Sequence, residues 1–192
     1  GFALQEYIII DGQQRLTTLM LILKALSVVA ESVGDDCYHE IEEQYLHNKY
    51  CDEEFKVKLK PIKSDNNQFL LMLEDKIDEM DEDTHIYHNF MLCKERFERW
   101  AEKGINPSQV LDALTKLEIV EIVLTKGEDD PQVIFESINS TGLELSNADL
   151  IRNYLLMNAD DQEKLYENYW LYIEKTLRNK MDYSNLDAFF MQ

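Results

Sequence analysis

From residue 16 onward the apolar positions Leu16, Leu19, Met20, Leu23, Leu26, Ala30 and Val33 recur at steps of three and four. That period predicts an amphipathic helix of about five turns, closed by Gly34. Just before it, residues 7–10 (YIII) form a short apolar run, which predicts a buried strand turning sharply into the helix. Residues 38–48 predict a shorter acidic helix. In KVKLKPIK the alternation sets Lys56, Lys58 and Lys60 on one face of a strand over residues 56–61. Ser64 opens a helix carrying Phe69, Leu70, Met72 and Leu73, and the acidic run over residues 74–83 reads as a solvated loop. Residues 84–103 predict a helix with Phe90, Cys93, Phe97 and Trp100 turned inward. Asn106-Pro107 is a cap followed by proline at the first helical position, opening a helix to about residue 116. The β-branched run LEIVEIVLT, residues 117–125, predicts a second core strand. Asp130-Pro131 repeats the cap, and the pattern is helical again from residue 161, with Leu165, Tyr169, Tyr172, Ile173 and Leu177. The fold class expected is α+β, mainly helical with a small β-sheet.

Composition narrows what such a fold can do. With 192 residues and 45% apolar content the chain can bury a real core. Six glycines, three prolines and no repeat argue against a disordered or linker-divided chain. Nineteen basic against 38 acidic residues leave a net charge of −19, a field that repels the nucleic-acid backbone, so direct DNA binding is not expected of this chain. The lysines of KVKLKPIK are the best local exception, but lysines on a strand edge ordinarily prevent edge-to-edge association. The longest apolar run, residues 19–30, is interrupted by Lys24 and is too short to span a bilayer, so no membrane is expected. Cys37, Cys51 and Cys93 are odd in number and lack C-x-x-C spacing, which fits reduced thiols and a cytoplasmic location. Cys37, His39, His47 and Cys51 would be spread over several helical turns, and His85 with His88 has no third ligand nearby, so zinc is not expected. The aromatics Tyr166, Tyr169, Trp170 and Tyr172 are expected to serve core and interface.

The junction over residues 7–19, YIIIDGQQRLTTL, holds the densest candidate chemistry. A strand that turns into a helix N-terminus exposes unpaired N–H groups and the positive end of the helix dipole. Gly12 can take a positive φ and lets a ligand approach the backbone. Arg15 supplies a planar fork of donors suited to phosphate, and the Asp11 carboxylate can hold a divalent ion or orient a water. Gln13 and Gln14 can donate and accept without changing the charge. The same residues also admit a structural role, in which Asp11 caps the helix, Gly12 turns the chain and Arg15 pairs with a surface acid.

A second polar set lies within QVIFESINSTGLELSNADLIRN, residues 132–153. Asn139-Ser140-Thr141-Gly142 is turn chemistry, and Ser146 with Asp149 stands at N-cap and N3 of the helix that follows. Arg152 and Asn153 lie three and four residues beyond Asp149 and share its face. Helix–turn–helix geometry accounts for the glycine and the serine. It leaves Asn139, Asp149, Arg152 and Asn153 polar among apolar neighbours without a reason.

DGQQRLTTL and the later F-E-x-x-N-S-x-G and L-S-x-A-D-L-I segments resemble the GmrSD-type restriction endonuclease N-terminal domain family, which is ParB-like. The likeness covers residues 5–33 and 117–158. It implies a ParB-like strand–DGQQR–helix core that binds and hydrolyses a nucleoside triphosphate with Mg²⁺. By that resemblance Asp11, Gln14 and Arg15 are catalytic, with Asp11 on the metal. Gly12, Gln13, Gln14, Arg15 and Thr17 bind the nucleotide from one motif, and Asn139, Asp149, Arg152 and Asn153 form a second wall facing the first across one cleft. Glu136 either joins that wall or pairs with Arg15. Many relatives couple this domain to an HNH nuclease that cuts modified foreign DNA, so a nuclease domain or subunit of the parent protein is the implied partner. Neither that nuclease nor the family's upstream Q-R-x-Y-x-W-like stretch is found in these 192 residues, which implies a piece of a longer protein. The division expected is residues 1–158 as the nucleotide-binding domain and 159–192 as the start of a helical extension. The competing function is a non-catalytic nucleotide-sensing or protein-interaction module.

Overall fold

The structure is a computed structural model. It describes residues 11–48, 56–61, 63–125 and 162–173, and single positions at 7, 9, 51, 133, 134, 151, 154, 155 and 176; at 63–65, 162, 163 and 167 it describes the backbone alone. The chain divides by contacts into two units, Gly1–Asp11 with Glu121–Gln192, and Gly12–Val120.

The unit Gly12–Val120 is a helical bundle around one long helix, α1 (Gln13–Val33). Apolar residues at the predicted three- and four-residue steps bury Met20, Leu23, Leu26 and Ala30, and Leu21, Ala25 and Val29 widen the stripe. Gly34 ends the helix in the left-handed region at φ 73, where the N–H groups of Gly34 and Asp35 close on the carbonyls of Glu31 and Ala30. Helix α2 (Cys37–Glu40) runs straight into a π-helical turn, Ile41–Leu46, whose Ile41 and Leu46 are fully buried. Helix α3 (Lys63–Leu73) adds Phe69, Met72 and Leu73. Helix α4 (His85–Glu102) starts at Thr84, whose hydroxyl accepts from the Tyr87 N–H, and packs Ile86, Phe90 and Phe97 against α1. Helix α5 (Pro107–Leu114) has the predicted proline at its first position and a reciprocal Asn106–Gln109 capping box. In the other unit, helix α6 (Gln162–Leu165) passes into a second π-helical turn, Tyr166–Trp170. There Trp170 is buried while Tyr169 and Tyr172 are exposed.

The expected small β-sheet is corrected: among the described residues the protein is helical and has no strand. Residues 117–125 form no strand, and Leu117, Ile119, Val120, Ile122 and Val123 are all exposed. Tyr7 and Ile9, the described members of the first expected strand, belong to no strand either. The β-branched preference is a preference for a pleated, half-buried surface, and without a neighbouring strand it creates no sheet. The segment 56–61 keeps its alternation, with Lys56, Lys58 and Lys60 exposed and Val57 and Leu59 packed on the core. Its pairing is one isolated antiparallel bridge between His47 and Val57, short of a strand. The charged residues of the acidic run over 74–83 are all exposed, as a solvated loop requires, while Ile77–Glu79 forms a 3₁₀ turn and Met80 is buried.

Helix α1 is also longer than the apolar run within it, and at 21 residues with a mean hydropathy of 1.7 in its richest window it reaches membrane-spanning length and composition. Half of that window is buried inside the protein, where it forms the centre of the bundle.

Candidate functional site

The helix α1 N-terminus has unusual local chemistry. Gly12 occupies the N-cap position with φ 89 and ψ 5, a conformation that strains any residue with a Cβ. Its carbonyl accepts the Leu16 N–H at 2.9 Å and closes the first turn. A glycine cap brings no side-chain acceptor to the first N–H groups, and the first turn contains no acid. The positive end of a 21-residue helix is therefore left without the usual serine or aspartate cap. The Arg15 guanidinium folds back over the glycine: a Cβ on Gly12 would meet Arg15 Nη2 at 3.7 Å and Nε at 3.9 Å. Gln13, Gln14 and Arg15 are exposed, and Thr17 is half-buried one turn further on.

The structure thus brings Gly12, Gln13, Gln14, Arg15 and Thr17 together on the opening turns of α1. Asp11 is exposed and directly precedes them in sequence, while its contacts assign it to the other unit. Asp11 offers a single exposed carboxylate, and among the described residues no group of three or more His, Cys, Asp or Glu side chains is placed to hold a metal ion. Glu136, Asn139, Asp149, Arg152 and Asn153 lie outside the described residues.

A polar cluster that sequence reasoning missed lies in the middle of the bundle. Lys24, with 1% of its side chain exposed, donates from Nζ to Glu42 Oε1 and to Asp75 Oδ2, both at 2.9 Å. Ser27 Oγ donates to Glu42 Oε1 at 2.7 Å, and His47 Nδ1 lies 3.1 Å from Glu42 Oε2. Burial pushes the Glu42 carboxyl up, but hydrogen bonds from His47, Ser27 and Lys24 outweigh it and hold the group down at about 2. Asp75 takes a left-handed φ of 60, which aspartate tolerates better than most residues. The only trace in the sequence was a lysine inside an apolar run.

A second carboxylate joins elements at the opposite end of α1. Asp35 accepts from the Cys37 N–H at 3.1 Å, the Ser108 N–H at 3.0 Å and the Ser108 hydroxyl, linking the starts of α2 and α5. Burial raises its pKa, and these bonds lower it by more. The Cys37 thiol is pushed up to about 11 by burial and by Asp35, so it is a weak nucleophile. Burial also raises Cys93. His85 and His88 are exposed on α4.

A family model described as GmrSD restriction endonuclease, N-terminal domain, matches residues 3–156. No curated protein and no solved structure matches the chain.

Proposed function

We propose, from the premise that this chain belongs to the GmrSD restriction endonuclease N-terminal domain family, that its α1 N-terminus binds the phosphates of a nucleoside triphosphate. The parent activity in this reading is an NTP-dependent restriction endonuclease acting on modified foreign DNA. The observation that carries the proposal is the left-handed Gly12 cap beneath the Arg15 guanidinium, at a helix end with no acid in its first turn. Such an end gathers N–H donors, a positive partial charge and a bidentate cation at one point, which is what a polyphosphate requires.

Each side chain then has a task. Arg15 grips the phosphates, and the Gln13 and Gln14 amides orient the ligand with help from the Thr17 hydroxyl. Asp11 holds Mg²⁺ or, with Gln14, aligns the attacking water. The bound ion would neutralise phosphate charge and polarise the scissile bond. Asn139, Asp149, Arg152 and Asn153 enter this reading through the family resemblance alone. In this reading DNA contact falls to a nuclease domain or subunit of the parent protein in the cytoplasm, and the net charge of −19 on this chain supports that division.

Thermal melting with Mg²⁺ and each common triphosphate tests the proposal. Ligand at about a hundredfold its Kd should stabilise the chain by roughly 2.7 kcal/mol. At this size that is a melting shift of very roughly 5–10 °C. Arg15→Ala should abolish the shift with little change in the unliganded melting point, because an exposed arginine contributes little to stability. If no triphosphate moves the melting point of the wild-type chain or its full-length parent, the nucleotide reading fails. Phosphate release separates the two functional classes: loss in Asp11→Asn with the melting shift retained identifies hydrolysis. Binding without release in the wild-type parent identifies a sensor module.

A further inference from the structure

Two helix carboxyl ends meet within the unit Gly12–Val120. Helix α1 finishes at Val33 and α4 at Glu102, and a groove of about 750 Å³ opens between them against the start of α5. Val33, Ala101 and Pro107 give it an apolar floor, while Asp35, Glu98 and Glu102 stand around it; none of its lining residues is basic. Each helix C-terminus adds a partial negative charge to that of the carboxylates. Glu98 is paired with Lys94 of its own helix at 2.5 Å, and Asp35 is held by Ser108, which leaves Glu102 exposed at the mouth. Val33 is 53% exposed although it continues the buried stripe of α1.

We propose that this groove is a docking site for a basic amphipathic segment of a partner protein, whose lysine or arginine stems cover the floor and whose charged heads meet Glu102 at the mouth. Long cationic side chains suit such a surface because their methylenes are apolar and only their tips are charged. Charge selects this occupant among the macromolecules. A second copy of a chain with net charge −19, a nucleic acid or an anionic membrane would each bring negative charge to a negative groove. Val33 lies 18 residues along α1 from Arg15, about 27 Å at 1.5 Å per residue. The two ends of one helix dipole thus attract opposite ligands, and the docking proposal does not depend on the nucleotide reading.

The probe is a fluorescein-labelled 18-residue peptide of leucine and lysine at helical period, compared with its glutamate-for-lysine counterpart by anisotropy on the full 192-residue chain in physiological salt. The lysine peptide should bind and the glutamate peptide should not. Glu102→Lys should weaken binding at least tenfold. Val33→Ser should weaken it at least threefold with no change of charge. Glu82→Lys, an exposed site that does not line the groove, should change it less than twofold. Melting curves check that each variant folds, and a lysine at Glu102 suits a helix C-terminus. Equal losses in Glu102→Lys and Glu82→Lys would mean attraction by the diffuse field and overturn the proposal. So would equal binding of both peptides. Displacement of the peptide by spermine together with a silent Val33→Ser would assign the groove to small cations instead.

Discussion

Lys24 lies near the middle of helix α1, among buried apolar residues, and its ammonium bridges Glu42 and Asp75 from elements 18 and 51 residues away. A charge in that position is tolerated because it is paired, and removing one partner strands the others; breaking a buried pair costs about 3–5 kcal/mol. We expect Lys24→Met to fall near the lower end of that range in urea unfolding, since Asp75 is largely exposed and can rehydrate. Glu42 should also leave a signature in acid. Its folded pKa of about 2 lies below its ordinary value of 4.5, so its stabilisation is complete above pH 4.5 and is lost as the pH falls toward 2. The amount is on the order of 3 kcal/mol. Urea unfolding across that pH window should show the loss in wild type, and Glu42→Gln should flatten it. An identical acid profile in the variant would mean that Glu42 carries no native ion pair. In sequence the lysine was visible as an interruption, whereas its partners were not. Pairing across 18 and 51 residues follows from the packing of α1 against the π-helical turn and the end of α3, which no local period encodes.

Helix α1 is bounded by two glycines in the left-handed region, and they predict different losses. A Cβ at Gly34 would meet nothing within 4 Å, so Gly34→Ala should cost only the backbone strain, about 1 kcal/mol, and leave any nucleotide response intact. Gly12→Ala carries the same strain and also puts a methyl in van der Waals contact with the Arg15 guanidinium, in the space proposed for phosphate, so it should remove that response as well. Equal effects of the two variants on ligand binding would deny Gly12 a special role. Both glycines were legible, as was the Asn106 cap, because capping is settled within a few residues. The sheet was misread because strand pairing is settled by a distant partner. Val120, 87% exposed within the segment 117–125, marks the difference. Val120→Lys should therefore leave the melting midpoint within about 1 °C, since such surface changes stay within about 0.5 kcal/mol. It should also raise the concentration at which light scattering appears, because an exposed apolar β-prone segment promotes association. A melting point that collapses in this variant would show Val120 to be packed.

The whole molecule divides by contacts at residues 11/12 and 120/121, and neither break carries a linker composition: the second falls inside LEIVEIVLT, which has no glycine or proline. Of the candidate site, the Gly12–Thr17 turns were legible because they are contiguous. The second motif's set, Asn139, Asp149, Arg152 and Asn153, lies outside the described residues. Among the described residues, every member of the main hydrophobic cluster, from Met20 to Leu111, belongs to Gly12–Val120, together with the Lys24–Glu42–Asp75 cluster and the Asp35–Ser108 link between α2 and α5. A unit that holds a contiguous core and pairs its buried charges internally has what a domain needs to fold alone. Residues 12–120 expressed by themselves should therefore give a helical circular-dichroism spectrum and one cooperative urea transition, as small two-state domains do. Lys24→Met should lower that midpoint by as much free energy as in the full chain, because all of Lys24's described partners are retained. A fragment that binds ANS and unfolds without a sigmoidal transition would place part of the core's support in the other unit.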